Sequence, residues 1–204
     1  MANPYAGVYF GFKIWETLLR TRLYAVNTAP TINVCVDDMV GADTAMMSTP
    51  KLGLTYYLQD GAVLSSSPGD EFMLIGSVQA CFDENMDPIQ YIAAARAGDA
   101  TVAGYVLVAD HPDQQFMAVV NAAITAADAD LNYSFAGSSL AAPNTYTKIS
   151  AQYITTTGAA NTVTIPLRLI GQSHPQEDSY ALAGCRMICQ IQPFCHLYGI
   201  SVPL

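Results

Sequence analysis

Two apolar runs, five residues apart, constrain this chain more than any other feature. Tyr105–Ala109 and Phe116–Val120 are both rich in β-formers, and Asp110-His111-Pro112-Asp113-Gln114 separates them. Runs this short and this apolar belong in buried strands. Pro112 presets its φ near about −65°, which suits the second position of a type I turn. Asp110 is placed to accept hydrogen bonds from amides just downstream. Gly104–Val120 therefore reads as a hairpin of two core strands whose turn sets the register.

The rest of the chain repeats this grammar of short apolar runs and polar turns. Strands are expected over 31–36, 52–58, 71–82, 89–93, 101–109, 146–155, 162–170 and 181–191, with a last extended piece over 195–202. Turns are expected at Asp60-Gly61, at Asp83–Pro88, at Asp128–Asn132, over 156–161 around Gly158, and over 171–178. Pro166 marks an edge or a bulge. Helical signals are weak: a short amphipathic stretch at Ile14–Leu23, which reads equally as an extended arm, an alanine-rich piece at 92–97, and one turn within 121–130. The fold class is mainly β, a compact β-barrel or β-sandwich with an N-terminal extension and little helix. The 204 residues fit one domain plus an extension, or two small domains. Ser65-Ser66-Ser67-Pro68-Gly69 is the best boundary, dividing an arm (1–65) from a body (66–204).

Charge narrows the partners. Charged residues make up 12% of the chain against 51% apolar, so some apolar surface is expected to be covered by a partner. The net charge of −9 is carried almost wholly by residues 61–204, and residues 1–60 are close to neutral. Phosphate contacts need clustered Lys and Arg, so direct nucleic-acid binding is not expected. No apolar run approaches the ~18 residues of a membrane span, and no basic-then-apolar leader is seen at the N-terminus.

Chemistry-bearing constellations are weak. Cys185, Cys189, Cys195 and His196 have metal-ligand residue types but C-x3-C-x5-C-H spacing, with the first two cysteines inside an apolar strand pattern. Tight zinc knuckles look different, and the five cysteines read as reduced, buried small apolar residues. Asp37-Asp38 lacks a His or Glu at useful spacing and reads as a solvated turn. Ala45-Met46-Met47 reads as core filling or a contact patch. Asp128-Ala129-Asp130-Leu131-Asn132 resembles the start of a calcium loop, but Tyr133 stands at the glycine position and Ser139 at the closing glutamate. No nucleophile elbow, phosphate loop or dinucleotide fingerprint occurs. No enzyme activity and no cofactor are expected.

The front end is different. Residues 1–24 hold six of the chain's twenty aromatics: Tyr5, Tyr9, Phe10, Phe12, Tyr24 and the only tryptophan, Trp15. Aromatic residues dominate interface hot spots, so Tyr5, Tyr9, Phe10, Phe12 and Trp15 are candidate contact residues. Packing into the chain's own core is an equally supported reading.

The segments from 66 to 200 resemble, in order, a family of tailed-bacteriophage virion proteins whose better understood members are capsid decoration or cement proteins. The family pattern, an apolar strand and then V-x-D-D-P-D-Q-x-F-x-x-Q, stands here as Val106-Leu107-Val108-Ala109-Asp110-His111-Pro112-Asp113-Gln114-Gln115-Phe116. An acidic turn matches 126–132, a Ser-containing strand matches Lys148-Ile149-Ser150, and P-L-R-I-I-G matches Pro166-Leu167-Arg168-Leu169-Ile170-Gly171. His111 replaces the family's second Asp and Phe194 its closing Asn, and residues 1–65 are not covered.

The resemblance implies a β body on the outer capsid surface of a virion, assembled in the host cytoplasm and bound to the major capsid protein. It implies self-association, with a homotrimer favoured over a dimer. Removing residues 1–24 is then expected to leave the body folded but unable to attach. The alternatives are a head–tail or tail component, or a surface module that binds carbohydrate or a receptor.

Overall fold

The computed structural model describes residues 9–27, 33–42, 57–60, 74–93, 102–125, 128, 131–136, 148, 150–161, 165–175, 179, 181–193 and 195–196. Tyr5, the 65–69 boundary, Ala45-Met46-Met47, the 94–97 alanine stretch and Phe194 lie outside them. No α-helix occurs among the described residues, so Ile14–Leu23 is extended and not helical. The strands in order are β1 (Lys13–Ile14), β2 (Thr21–Asn27), β3 (Val34–Cys35), β4 (Met39–Ala42), β5 (Tyr57–Asp60), β6 (Leu74–Phe82), β7 (Pro88–Ile89), β8 (Tyr91–Ile92), β9 (Val102–Ala109), β10 (Gln115–Val119), β11 (Asn132–Ala136), β12 (Tyr153–Ala160), β13 (Leu167–Gln172) and β14 (Arg186–Ile191).

These strands form two six-stranded sheets and a two-stranded ribbon of β3 and β8. One sheet is antiparallel, in the order β1-β10-β14-β13-β11-β12, and an isolated parallel bridge joins Val120 to Ile154. The other runs β4-β5-β2-β9-β6-β7, with β4 also pairing to β6 and with β2 and β5 parallel. The fold is thus mainly β, in several sheets and not in one barrel running round the whole chain.

The expected hairpin of Gly104–Val120 does not form. β9 pairs with β2 and β6, whereas β10 pairs with β1 and β14. The polar pentapeptide between them carries the chain from one sheet to the other. Both runs are buried as expected, but each finds its partner far away in sequence. Two further expectations are displaced: residues 156–160 continue β12 where a loop was expected, and Asn132 opens β11 where a turn was expected.

Burial alternates as strand geometry requires. In β10 Phe116 and Ala118 face inward, and in β14 Met187, Cys189 and Ile191 do the same. They join Phe12, Leu74, Ala109, Tyr133, Phe135 and Ile154 in one core that draws on both sheets. A second core gathers Tyr24, Val26, Val40, Ile75, Val78, Val106 and Val108 within the sheet of β2, β9 and β6. Gly104 belongs there because a Cβ at that position would collide with the Phe82 carbonyl oxygen. All five cysteines are free and buried.

Asp37-Asp38 is not a solvated turn. Asp38 is buried, and its carboxylate accepts hydrogen bonds from the Cys35 amide at 2.7 Å and the Ser150 hydroxyl at 2.5 Å. The Asp37 carbonyl accepts the Phe12 amide at 2.7 Å, with Asp37 in left-handed backbone (φ 70°). Asp37 itself is half-buried, and burial pushes its carboxyl up to about 6 against the opposing pull of Lys13. Gly11 lies so close to the Asp37 carbonyl and Ser150 that no side chain fits there. The front end is therefore stitched to elements from the middle of the chain.

Candidate functional site

The sheet-to-sheet crossover from Ala109 to Gln115 holds the front end by two buried polar residues. Asp110 has no solvent exposure. Its carboxylate accepts the Arg20 Nε–H at 2.7 Å and the Tyr24 hydroxyl at 2.7 Å, and Arg22 Nε lies at 3.4 Å. Arg20 also donates through Nη2 to the Asp110 carbonyl at 2.8 Å. A buried carboxylate needs such compensation. The downstream amides assigned to Asp110 on the sequence are not what it holds. It clamps the start of β2 to the end of β9.

Gln114 is the second clamp; the sequence marked it as part of the D-x-P-D-Q pattern but not as a clamp. Its side chain is 1% exposed. Oε1 accepts the Leu19 amide at 2.9 Å, while Nε2 donates to the Thr17 carbonyl at 3.1 Å and the Gln115 carbonyl at 3.0 Å. The Trp15 amide donates to the Gln115 carbonyl at 3.0 Å. The link from β1 to β2 is thus fixed at both ends, with Glu16 in left-handed backbone (φ 57°).

This fixed link displays two leucines beside the exposed Glu16 and Thr17. Leu18 and Leu19 are 46% and 49% exposed and adjacent. Beside them Trp15, Glu16, Thr17, Leu19, Asp113, Gln114 and Gln115 line a cavity of about 190 Å³. Trp15 is half-buried, its indole edge-on to His174 at 5.9 Å between ring centroids.

The other front-end aromatics are placed differently. Phe12 is fully buried and edge-on to Phe135 at 5.7 Å, so it belongs to the core and offers no surface to a partner. Tyr9 stacks on Tyr153 at 4.3 Å, and Phe10 lies under the Lys13 ammonium at 5.1 Å. Both are half-buried. Of the four described candidates, Trp15 alone borders the cavity. Leu18 and Leu19 fall in the Ile14–Leu23 stretch expected as a short amphipathic helix or an extended arm, and its extended path exposes them.

Among the described residues no three His, Cys, Asp or Glu side chains gather where one metal ion would sit. Cys185, Cys189 and Cys195 are wholly buried, and burial pushes the Cys189 thiol far up. His196 is buried too, and its imidazole is pushed down to about 4, chiefly by burial. Asp128 accepts the Thr125 hydroxyl at 2.6 Å and the Thr125 amide at 2.9 Å, which holds its carboxyl below the usual range. This is turn chemistry of the kind expected there. Comparison with family models, curated proteins and solved structures finds no match.

Proposed function

We propose that the chain is a capsid decoration protein of a tailed bacteriophage. In this reading it binds the major capsid protein on the outer shell and stabilises it without catalysis. The observation that carries the reading is the double role of the D-x-P-D-Q pattern. Asp110 and Gln114, the residues through which the chain resembles decoration proteins, are also the two that fix the Trp15–Leu19 link in place. A rigid link bearing two exposed leucines loses little conformational entropy on docking. The acidic part of the chain faces solvent in this reading, and the two main sheets, built from both the front end and the rest of the chain, are the layers of a sandwich.

A single weak contact suffices in this role, since copies repeated around a symmetric shell gain through multivalency. A homotrimer at a local threefold axis is the favoured unit.

The test is co-sedimentation of the full chain with cognate shells, with copy number measured on purified particles. Saturable binding at hundreds of copies per shell supports the reading. Absence from the shell, or a few copies confined to the tail, replaces it with a tail or head–tail role.

A further inference from the structure

Resting on that reading, we propose that the cavity beside Trp15 receives an arginine side chain from the surface of the partner protein. Size is the first argument. At about 190 Å³ the cavity falls well below the ~300 Å³ at which small-molecule sites begin. It has room for one long side chain.

The lining is the second argument. Trp15 and Leu19 supply apolar wall, Glu16 and Asp113 supply two carboxylates, Gln114 and Gln115 supply amide groups, and no lining residue is cationic. An aliphatic stem ending in a positive charge matches that division. Between the two cationic side chains, a planar guanidinium stacks on an indole and forks to a carboxylate, which a compact ammonium does less well.

Among the described residues neither carboxylate is paired with a Lys or Arg within salt-bridge distance. Gln190 Nε2 lies 3.5 Å from Asp113 Oδ1, the His111 Nδ1 that lies 3.9 Å from Oδ2 accepts the Asp113 amide at 3.1 Å, and the Asp113 side chain is 77% exposed. Arg20, the nearest arginine in sequence, is engaged with Asp110. A chain of net charge −9 also steers basic surfaces toward itself.

Trp15 is the only tryptophan, so its emission reads the cavity directly. The full chain is titrated with the blocked tripeptide acetyl-Gly-Arg-Gly-amide and with its citrulline counterpart, which keeps the shape and removes the charge. The expected result is a saturable emission change with the arginine peptide, weakened about fivefold or more with citrulline and by a similar factor in the Glu16→Gln/Asp113→Asn double variant. Both substituted side chains are exposed, so the variant's thermal midpoint should match the parent's. No saturable change, an equal response to both peptides, or unchanged binding by the double variant overturns the proposal. The peptide comparison needs no variant, so misfolding of the variant leaves the test intact. Co-sedimentation separates this inference from the reading beneath it. If the double variant coats shells like the parent, the arginine pocket fails and decoration stands. If the parent discriminates the peptides but ignores shells, the pocket stands and decoration fails.

Discussion

The Tyr24 hydroxyl donates to the Asp110 carboxylate at 2.7 Å, with both residues shielded from solvent and 86 positions apart in the chain. That bond closes a cluster in which Arg20 and Arg22 also face the same carboxylate. Removing the charge leaves the Arg20 guanidinium without its counter-ion at the mouth of the core. Asp110→Asn should cost about 3–5 kcal/mol in urea unfolding. Tyr24→Phe should cost about 1–3 kcal/mol, since it strands one acceptor. Equal losses for the two would mean that the ion pair adds nothing beyond the phenol bond.

Gln114→Ala should act locally. It unties two backbone groups of the Trp15–Leu19 link, the Leu19 amide and the Thr17 carbonyl, while leaving both sheets paired. Amide exchange at Leu19 should quicken by at least tenfold, while amides of β9 and β14 keep their protection. A uniform rise across the chain would show instead that the side chain supports global stability.

The N-terminal truncation expected from the sequence to be harmless to folding should unfold the protein. Residues 1–24 include Phe12 and Tyr24, both fully buried, and four residues of β2, which lies between β5 and β9. Phe12→Ala alone should cost about 3–5 kcal/mol. Circular dichroism of the truncated chain is the direct check, and a retained cooperative melt would refute the prediction.

Asp37 and His196 pull the pH dependence of stability in opposite directions. Asp37 is raised from 3.8 to about 6, so the folded state holds its proton more tightly than the unfolded chain. Its contribution is fully present below 3.8 and is lost as pH rises through 6. His196 is lowered from 6.5 to about 4, so its contribution is present above 6.5 and is lost as pH falls through 4. In the shared window the two slopes offset. Asp37→Asn keeps a residue tolerant of left-handed backbone and removes one slope. It should raise stability at pH 7 by roughly 1 kcal/mol after solvent screening, and steepen the loss on acidification. Denaturation curves at several pH values from 4 to 7 test this; parallel profiles for parent and variant would contradict it.

The cysteines should be silent until the fold opens. Burial pushes the Cys81 thiol up to about 12 and raises Cys35 and Cys189 as well. Thiolate is the reactive form, so a colorimetric thiol reagent at pH 8 should find almost none in the native chain. All five should titrate in denaturant.

The sequence made the class of fold legible because strand burial is a local pattern. Phe116, Ala118, Cys189 and Ile191 declare themselves by alternation and neighbouring turns. Pairing is not local. Nothing in Tyr105–Val120 says that its two runs join different sheets, because Pro112 and Asp113 serve a hairpin turn and a crossover equally well. Asp110 carried the right chemistry and the wrong partner, since Arg20 and Tyr24 lie some 90 residues away. Gln114 stood in the D-x-P-D-Q pattern without a role, because a glutamine becomes a clamp only when a backbone is brought to it. Leu18 and Leu19 were visible as apolar residues, but their exposure depends on the extended path that Gln114 imposes.

That path has a mechanical consequence. The Leu18–Leu19 link leaves β1 in one sheet and enters β2 in the other, and each strand is paired along its length, to β10 and to β9. A pull on the link loads both ladders at once. On the β2 side a pull along the strand loads the seven paired positions with β9 together, so failure under such a pull means sliding one strand past its neighbour. A tether attached at this point is anchored in the two sheets together, and the chain cannot be unravelled from it without first breaking the fold.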